Sequence, residues 1–536
     1  MTRVTLLASA ATLLATSAFA VEMQAGDTLA EDQSLDISVL DQAKTLDPQL
    51  IEETIGNHMA RQLFEGLTRQ DADGNLIPAV ATEWTSDDNQ TWTFKLRDDA
   101  RWSNGDPVTA QDFVYAWQRA ADPATASPYA WYVELTSIEN AAEIVAGEAD
   151  PSTLGVEAVD DHTLQVTLTQ PLPFFPAMTT YSTLYPAHRA TIEAHGDDWT
   201  SPENMVSNGA YILDEVKVNE FTRLVPNPEY HSAEDVAIEE ITVFVVNDRN
   251  QSLTRYQAGE FDMMDDLPAG TYPDLKAEFP DETHSTPRLC SYYYAINLTD
   301  SGHEALQDER VREALSYAVN RDVIVEQVLK GGQSPAYNFT HEATAGFEMP
   351  EIDYASWSQD ERTQKARDLI AEAGYGPDNP IELDLIYNTS ENHKAIATVV
   401  SQMWKPLGVN TTLSNYEWQS YIDIRGEQNF DIARSAWCGD YNEASTFLDL
   451  VTTTHGANDG KYSNPEVDRL MAESRTMEDP NVAYTQVEQI LADEMGIIPI
   501  YHYTQNFMLD PSIRNWPMNN VENNWYVQDM YRAASE

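Results

Sequence analysis

An arginine, a tryptophan, a cysteine and an aspartate stand within seven residues of one another, at Arg434, Trp437, Cys438 and Asp440 in the stretch RSAWCGDYN. Arg434 offers a planar fork suited to a carboxylate. Asp440 can receive an ammonium, and its neighbours Trp437 and Tyr441 can exclude water and so strengthen the pairing. An acid and a base six residues apart, flanked by aromatics, suit a ligand that carries both charges, such as a peptide or an amino acid. Arg425 and His393 are further candidates for the carboxylate end, His393 because imidazole is half-charged near neutrality. Each has a plainer reading: Asp440 as a turn residue after Gly439, a lone arginine as an ion-pair partner, a lone histidine as a structural group.

Between its charged ends a peptide repeats the same backbone groups, so binding independent of its sequence needs main-chain hydrogen bonds of the kind made when a strand joins a sheet edge. The segments around Cys290, in RLCSYYYAIN, and Cys438 are the expected edges. Ligand side chains would project into roomy pockets where ordered water adapts to different groups. Tyr129, Trp418 and Trp437 are the expected aromatic walls, with core packing as the alternative for each.

Composition narrows the setting. Met1 to Ala20 has a positive start at Arg3, an apolar stretch and an Ala18-Phe19-Ala20 cleavage site, the pattern of a secretory leader cleaved after Ala20. No cysteine follows the leader to carry a lipid, and no later apolar run is long enough to span a bilayer, so no membrane anchor is expected. In an oxidising compartment the two cysteines, Cys290 and Cys438, read as one disulfide rather than a metal pair or two buried thiols. On a chain-entropy account, such a loop removes about 5 kcal/mol of unfolded-state freedom. With 88 acidic against 31 basic residues and a net charge of −57, the chain is unsuited to nucleic acid, whose phosphates need clustered Lys and Arg. The acids are spread along the chain like a solvated coat, which a saline habitat would suit.

Enzyme signatures are weak. The chain contains no G-x-S-x-G or G-x-G-x-x-G. GANDGKY, from Gly456 to Tyr462, is one residue short of a phosphate loop and has Tyr where a hydroxyl must meet magnesium, so it reads as a turn. DADGN, from Asp71 to Asn75, lacks a Glu at the twelfth position, which is Thr82, and reads as a hairpin turn rather than a calcium loop. No His pair stands at i, i+4, so no metal and no cofactor is expected. The rival from another class is a secreted glycoside hydrolase, acidic and Trp-rich, but that reading leaves the Arg-Trp-Cys-Asp cluster without a purpose.

A chain of 536 residues exceeds one hydrophobic core, so two or three domains are expected. Strand-like runs at 91–96, 163–168, 241–246 and 381–387 alternate with amphipathic helical runs such as 311–329 and 361–373, the latter closed by Gly374, which makes the chain mixed α/β. In TWTFKLRDDARWSNGDPVTAQDFVYAWQRAADP a strand runs into the turn Asn104-Gly105-Asp106-Pro107, Thr109 caps a helix with Asp112 three residues on, and Asp122-Pro123 ends it.

That pattern, W-x-F-x-L-R followed by W-x-[DN]-G-x-P-V-T-A-x-D-F, resembles the signature region of the peptide-binding family of periplasmic substrate-binding proteins. LFEGL (63–67), DPATASPYA (122–130), LGVEAVDDHTLQVTL (154–168), NGAY (208–211), LCSYYYAIN (289–297), LIYNTSENHK (385–394) and WCGDYNE (437–443) extend the likeness over nearly the whole mature chain. The resemblance implies a two-lobed, hinged α/β architecture with an extra third domain. Domain I would comprise 21–64, 189–289 and 508–536, domain II 65–188 and domain III 290–507, with one hinge segment just before Cys290. It also implies a monomeric periplasmic receptor without catalysis, which closes over short peptides and presents them to an inner-membrane ABC permease. Asp440 would take the ligand's amino terminus, Arg434, Arg425 and His393 the carboxylates of peptides of different lengths, and Glu52 would be an acid of the cleft. A murein tripeptide, a dipeptide, a nickel complex or haem are ligands the same architecture could hold. Three departures from the family pattern touch specificity: Ala295 replaces an acid after the Tyr run, Leu329 a lysine, and Ala436 a glycine beside the ligand backbone.

Overall fold

The computed structural model describes residue 21 and residues 23–268, 270–477 and 479–534; the expected leader lies outside them. Among the described residues the largest sheet has eleven strands. Its path runs Val409–Tyr416, Ile381–Asn388, Ile432–Cys438, Thr283–Ile296, Ile497–Leu509, Met263–Met264, Ser34–Val39, Glu240–Val245, Phe221–Pro226 and Tyr211–Lys217, with Ser334–Pro335 attached to Ile497–Leu509. Parallel pairs at Ile381–Asn388 and at Ser34–Val39 flank an antiparallel centre, so the sheet is mixed. A second sheet of four antiparallel strands is built from Ala81–Thr85, Thr91–Leu96, Thr163–Thr167 and Val156–Asp160.

Buried apolar residues gather on either side of a divide. One core draws on residues between Leu35 and Met263 together with Phe507 to Met530. Two others draw on residues between Leu289 and Tyr501. The fold is therefore two-lobed α/β, and two long strands cross between the halves. Thr283–Ile296 and Ile497–Leu509 pair with each other through both halves, and their register shifts between Pro287 and Ser291, where a hinge segment is expected.

Local chemistry accounts for much of this. Thr109 and Asp112 form a reciprocal capping box on helix Ala110–Ala121, satisfying donors that would otherwise be orphaned at its start. Asp71 accepts from the backbone of Asp73 and Asn75, and Gly74 takes φ +80°, which closes the hairpin between Thr68–Gln70 and Leu76–Pro78. One expectation fails. The helical run at 311–329 is two pieces, because helix Glu309–Ala318 stops at an extended Val319 and the Asn320 side chain caps a new start by accepting from the Val323 N–H. Arg321 anchors the break by donating to the carbonyls of Ser316, Ala336 and Pro499.

Candidate ligand-binding site

Cys290 and Cys438 are register partners on adjacent antiparallel strands and are joined as a disulfide. The strand Thr283–Ile296 is paired on both flanks over Ser291–Ala295, so it offers no edge there, contrary to expectation. Ile432–Cys438 has a freer flank. Among the described residues only Ile432 and Ala433 pair outward, with Leu385 and Ile386, which leaves the Ser435–Cys438 stretch open to an added strand.

Two cavities adjoin this edge, of about 520 and 210 Å³, and they share Glu53, Thr54, His58 and Arg288. The smaller is lined by Asp440, Trp437, Cys438, Tyr129 and Glu52. The larger is lined by Arg434 and His393. Seven of the nine candidate ligand-binding residues thus come together along one cleft.

At the smaller end, Asp440 is 8% exposed. One carboxyl oxygen accepts from Tyr129 Oη at 3.3 Å, and the other has no hydrogen-bond partner. Burial, with the neighbouring charge of Glu522, pushes its pKa up to about 7 against a weaker opposing bond from Tyr129. Glu522 lines the same cavity and is likewise raised to about 7 by burial. Tyr129 stacks on Tyr181 at 5.1 Å, and Trp437 packs 6.1 Å from Trp131 of the opposite lobe. Tyr441 stacks on Phe174 at 5.2 Å, so the lobes touch across the mouth.

At the larger end, Arg434 is 8% exposed. It donates to Tyr503 Oη at 2.8 Å and to Asn388 Oδ1 at 3.3 Å, and its guanidinium lies 5.0 Å from the Tyr292 ring centroid. Its Nε has no partner, and among the described residues no carboxylate lies within 4.0 Å. Burial, and then the charge of Arg434, pull the His393 pKa down to about 2, so its imidazole is neutral.

Two of the candidates lie outside both cavities. Arg425 lines neither cavity, since it forms an ion pair with Asp459 in which both side chains are 14% exposed. Its charge is already spent. Trp418 opens helix Trp418–Gly426, is 55% exposed and shares an outward face with the exposed Ile422, away from both cavities. Glu52 does line the smaller cavity, but as a partly exposed partner of Lys44. Of the departures, Leu329 lines the larger cavity, while Ala295 and Ala436 line neither.

Sequence reasoning missed His58, Arg61, Arg288 and Glu522. A signal existed for the first two: polar side chains three apart on helix Thr54–Leu63, which is buried from Gly56 onward. Glu522 gave none, because it enters the cleft from the C-terminal segment.

The closed cleft, the crossing strands and the opposite charges can now be set beside known proteins. The family profile described as bacterial extracellular solute-binding proteins, family 5 Middle, matches residues 75–459. The chain is 43% identical over 517 residues to the periplasmic murein peptide-binding protein MppA of Escherichia coli, covering 96% of each chain. The solved structure of that protein superposes with a TM-score of 0.87 over 95% of this chain and 100% of the other. Identity to the periplasmic oligopeptide-binding protein OppA of Escherichia coli is 40% over 527 residues, covering 97% of this chain and 96% of that one. Haemophilus influenzae OppA, solved in complex with the peptide RPPGFSPFR, gives a TM-score of 0.84 at 37% identity, over 95% of this chain and 100% of that one. The chain belongs to the bacterial extracellular solute-binding proteins of family 5.

Proposed function

We propose that this protein is a periplasmic receptor that holds short peptides in extended form between its lobes and presents them, unaltered, to an ABC importer. One observation carries the reading: the cleft has an acid with a free oxygen at one end and a cation with a free nitrogen at the other, and no bond joins them. Leaving such groups unmatched costs roughly 1 to 3 kcal/mol each, more when charged. A zwitterion lying end to end relieves both.

Asp440 takes the ammonium, with Tyr129 and Trp437 keeping water out. Arg434 takes the carboxylate, and His393 beside it donates from one nitrogen. The open flank of Ser435–Cys438 supplies main-chain bonds. Arg434 and Asp440 are six residues apart along a strand and the turn after it, at most about 20 Å, which suits ligands of a few residues. Closing the lobes over the ligand makes a shape that a permease can distinguish from the open one, and the ligand's preference for the closed state drives that change.

Domain I is assigned to 21–64, 189–289 and 508–536, domain II to 65–188 and domain III to 290–507, with the leader removed after Ala20. The family is one of substrate receptors, which supports binding without turnover, and no helix among the described residues is long and apolar enough to cross a membrane. Native mass spectrometry of protein purified without denaturation, followed by calorimetry with a tripeptide, tests the reading. Retained peptide and affinity near 1 µM, about −8 kcal/mol, are expected. Hydrolysis of added oligosaccharide, with no peptide bound, would replace it with the glycosidase alternative.

A further inference from the structure

Asparagine followed by glycine is the pair in which a side-chain amide is most open to attack by its own backbone, because glycine has no side chain to block the approach. The chain has two such pairs, Asn104-Gly105 and Asn208-Gly209. They are neighbours in the fold, since the Ser103 N–H donates to the Ser207 carbonyl at 2.7 Å. Both glycine N–H groups are hydrogen-bonded, that of Gly105 to the Trp102 carbonyl and that of Gly209 to the Leu63 carbonyl. The contrast lies in the asparagine side chains and in the room around them.

Asn208 is 3% exposed. Its amide is locked to one residue by two bonds, accepting from the Glu65 N–H at 3.1 Å and donating to the Glu65 carbonyl at 2.9 Å. A Cβ on Gly209 would stand 2.5 to 2.6 Å from backbone atoms of Gln62, Leu63 and Phe64, so this backbone is wedged against the end of helix Thr54–Leu63 and has no space to turn towards the asparagine. Asn104 instead lies on the exposed turn at 104–107, and a Cβ on Gly105 would meet nothing within 4 Å. Among the described residues its amide bonds to Asp106 alone: Nδ2 donates to Asp106 Oδ2 at 2.7 Å, and Oδ1 accepts from the Asp106 N–H at 3.0 Å. That N–H points at the oxygen on which negative charge gathers when the amide carbon is attacked, the place of an oxyanion-stabilising donor.

We propose that Asn104 is a site of spontaneous deamidation in the folded protein and that Asn208 is not. The Gly105 N–H gives its proton to hydroxide, and the nitrogen forms a bond to Asn104 Cγ. The Cγ–Nδ2 bond then breaks, and Nδ2 leaves as ammonia after taking a proton from water. Water adds to either carbonyl of the resulting cyclic imide and breaks its bond to nitrogen, which leaves an aspartyl or an isoaspartyl linkage at position 104. In the aspartyl form a carboxylate replaces the donor that faces Asp106, whose own carboxyl lies 3.2 Å from His188 Nε2. In the isoaspartyl form the main chain between positions 104 and 105 is lengthened by a carbon. The turn is held by the Trp102 N–H on the Asp106 carbonyl and the Gly105 N–H on the Trp102 carbonyl, each at 2.8 Å, and the longer chain cannot keep both. Because the turn leads into the capping box of Thr109 and Asp112, this product loosens the entry to helix Ala110–Ala121.

Peptide mapping by mass spectrometry of the folded protein, held in mildly alkaline buffer, tests the proposal. Tryptic peptide 102–119 carries Asn104 and tryptic peptide 190–217 carries Asn208. Peptide 102–119 should give two chromatographically separate products, each with the mass gain of a single deamidation. Peptide 190–217 should react slower by about a hundredfold or more, because its site must first open locally. In denaturant the two should react at comparable rates, which shows that the fold makes the difference. Asn104→Gln, whose imide ring is larger and slower to close, should abolish the gain in 102–119. An Asn104 that stays intact in the folded protein would overturn the proposal; so would an Asn208 that keeps pace with it, or a gain in 102–119 that persists in Asn104→Gln. The comparison of the two wild-type peptides needs no variant and decides the matter even if Asn104→Gln does not fold.

Discussion

The two ends of the cleft bury opposite charges in different ways. Asp440 can meet the cost of burial by taking up a proton, and its pKa of about 7 reflects that. Arg434 cannot shed its proton, so the fold surrounds it with the Tyr503 hydroxyl, the Asn388 amide and the face of Tyr292. One end is a carboxyl poised between charged and neutral; the other is permanently charged and held by dipoles. Recognition of the ligand's amino terminus should therefore depend on pH, and recognition of its carboxyl terminus should not.

The strongest way to break the comparison is to remove the acid. Asp440→Ala should weaken a free tripeptide by about 2 to 5 kcal/mol, the cost of stranding a buried charge. Calorimetry with the amino-acetylated peptide should show little further loss in the variant. Arg434→Gln is the mirror experiment. A loss of about 2 to 3 kcal/mol is expected for the free tripeptide but not for its carboxamide; equal losses for both would remove Arg434 from the carboxylate end.

A gentler probe is pH. In the free protein the Asp440 and Glu522 carboxyls, which sit in one cavity with Tyr129 and Arg61, hold protons up to about pH 7, and these must be released before an ammonium is gripped. Lowering the pH from 7.5 to 5.5 should weaken wild-type affinity by about tenfold, with proton release visible as buffer-dependent heat, whereas Asp440→Asn should be far less sensitive. Stability shows the same group with the opposite sign. The folded protein holds this proton more tightly than the unfolded chain, whose Asp titrates near 3.8, so the contribution is present at low pH and lost as pH rises towards about 7. Without ligand, the melting temperature of Asp440→Asn relative to wild type should rise between pH 5 and pH 8, by the equivalent of about 2 to 3 kcal/mol.

The smallest effects sharpen the choice of residues. Arg425→Met and Trp418→Ala should each change tripeptide affinity by less than about 0.5 kcal/mol, the scale of substitutions away from a site. A larger loss in either would return that residue to the cleft.

Much of the local architecture was legible because its causes are local. The capping box at Thr109 and Asp112, the hairpin at Asp71 to Asn75 and the strand at Thr91 to Leu96 each depend on residues within a few positions of one another. The break at Val319 was not legible, because Arg321 is held by carbonyls as distant as Pro499. The candidate site divides in the same way. The mutual offsets of Arg434, Trp437, Cys438 and Asp440 lie within one strand and the turn after it, so their spacing alone brought them into view.

The sequence by itself determined that an acid, a cation and two cysteines would ride on neighbouring segments, and that the chain would be an acidic α/β protein with a secretory leader pattern. Only the tertiary structure decided which charges remain unmatched. Arg425 and Arg434 are the same residue type nine positions apart, yet Arg425 meets Asp459 while Arg434, among the described residues, meets a hydroxyl, an amide and an aromatic face. Glu522, His58 and Arg288 join one cleft from three separate parts of the chain. Whether a buried charge is satisfied depends on partners that folding brings from far away, and unsatisfied charge is what a cleft has to offer a ligand.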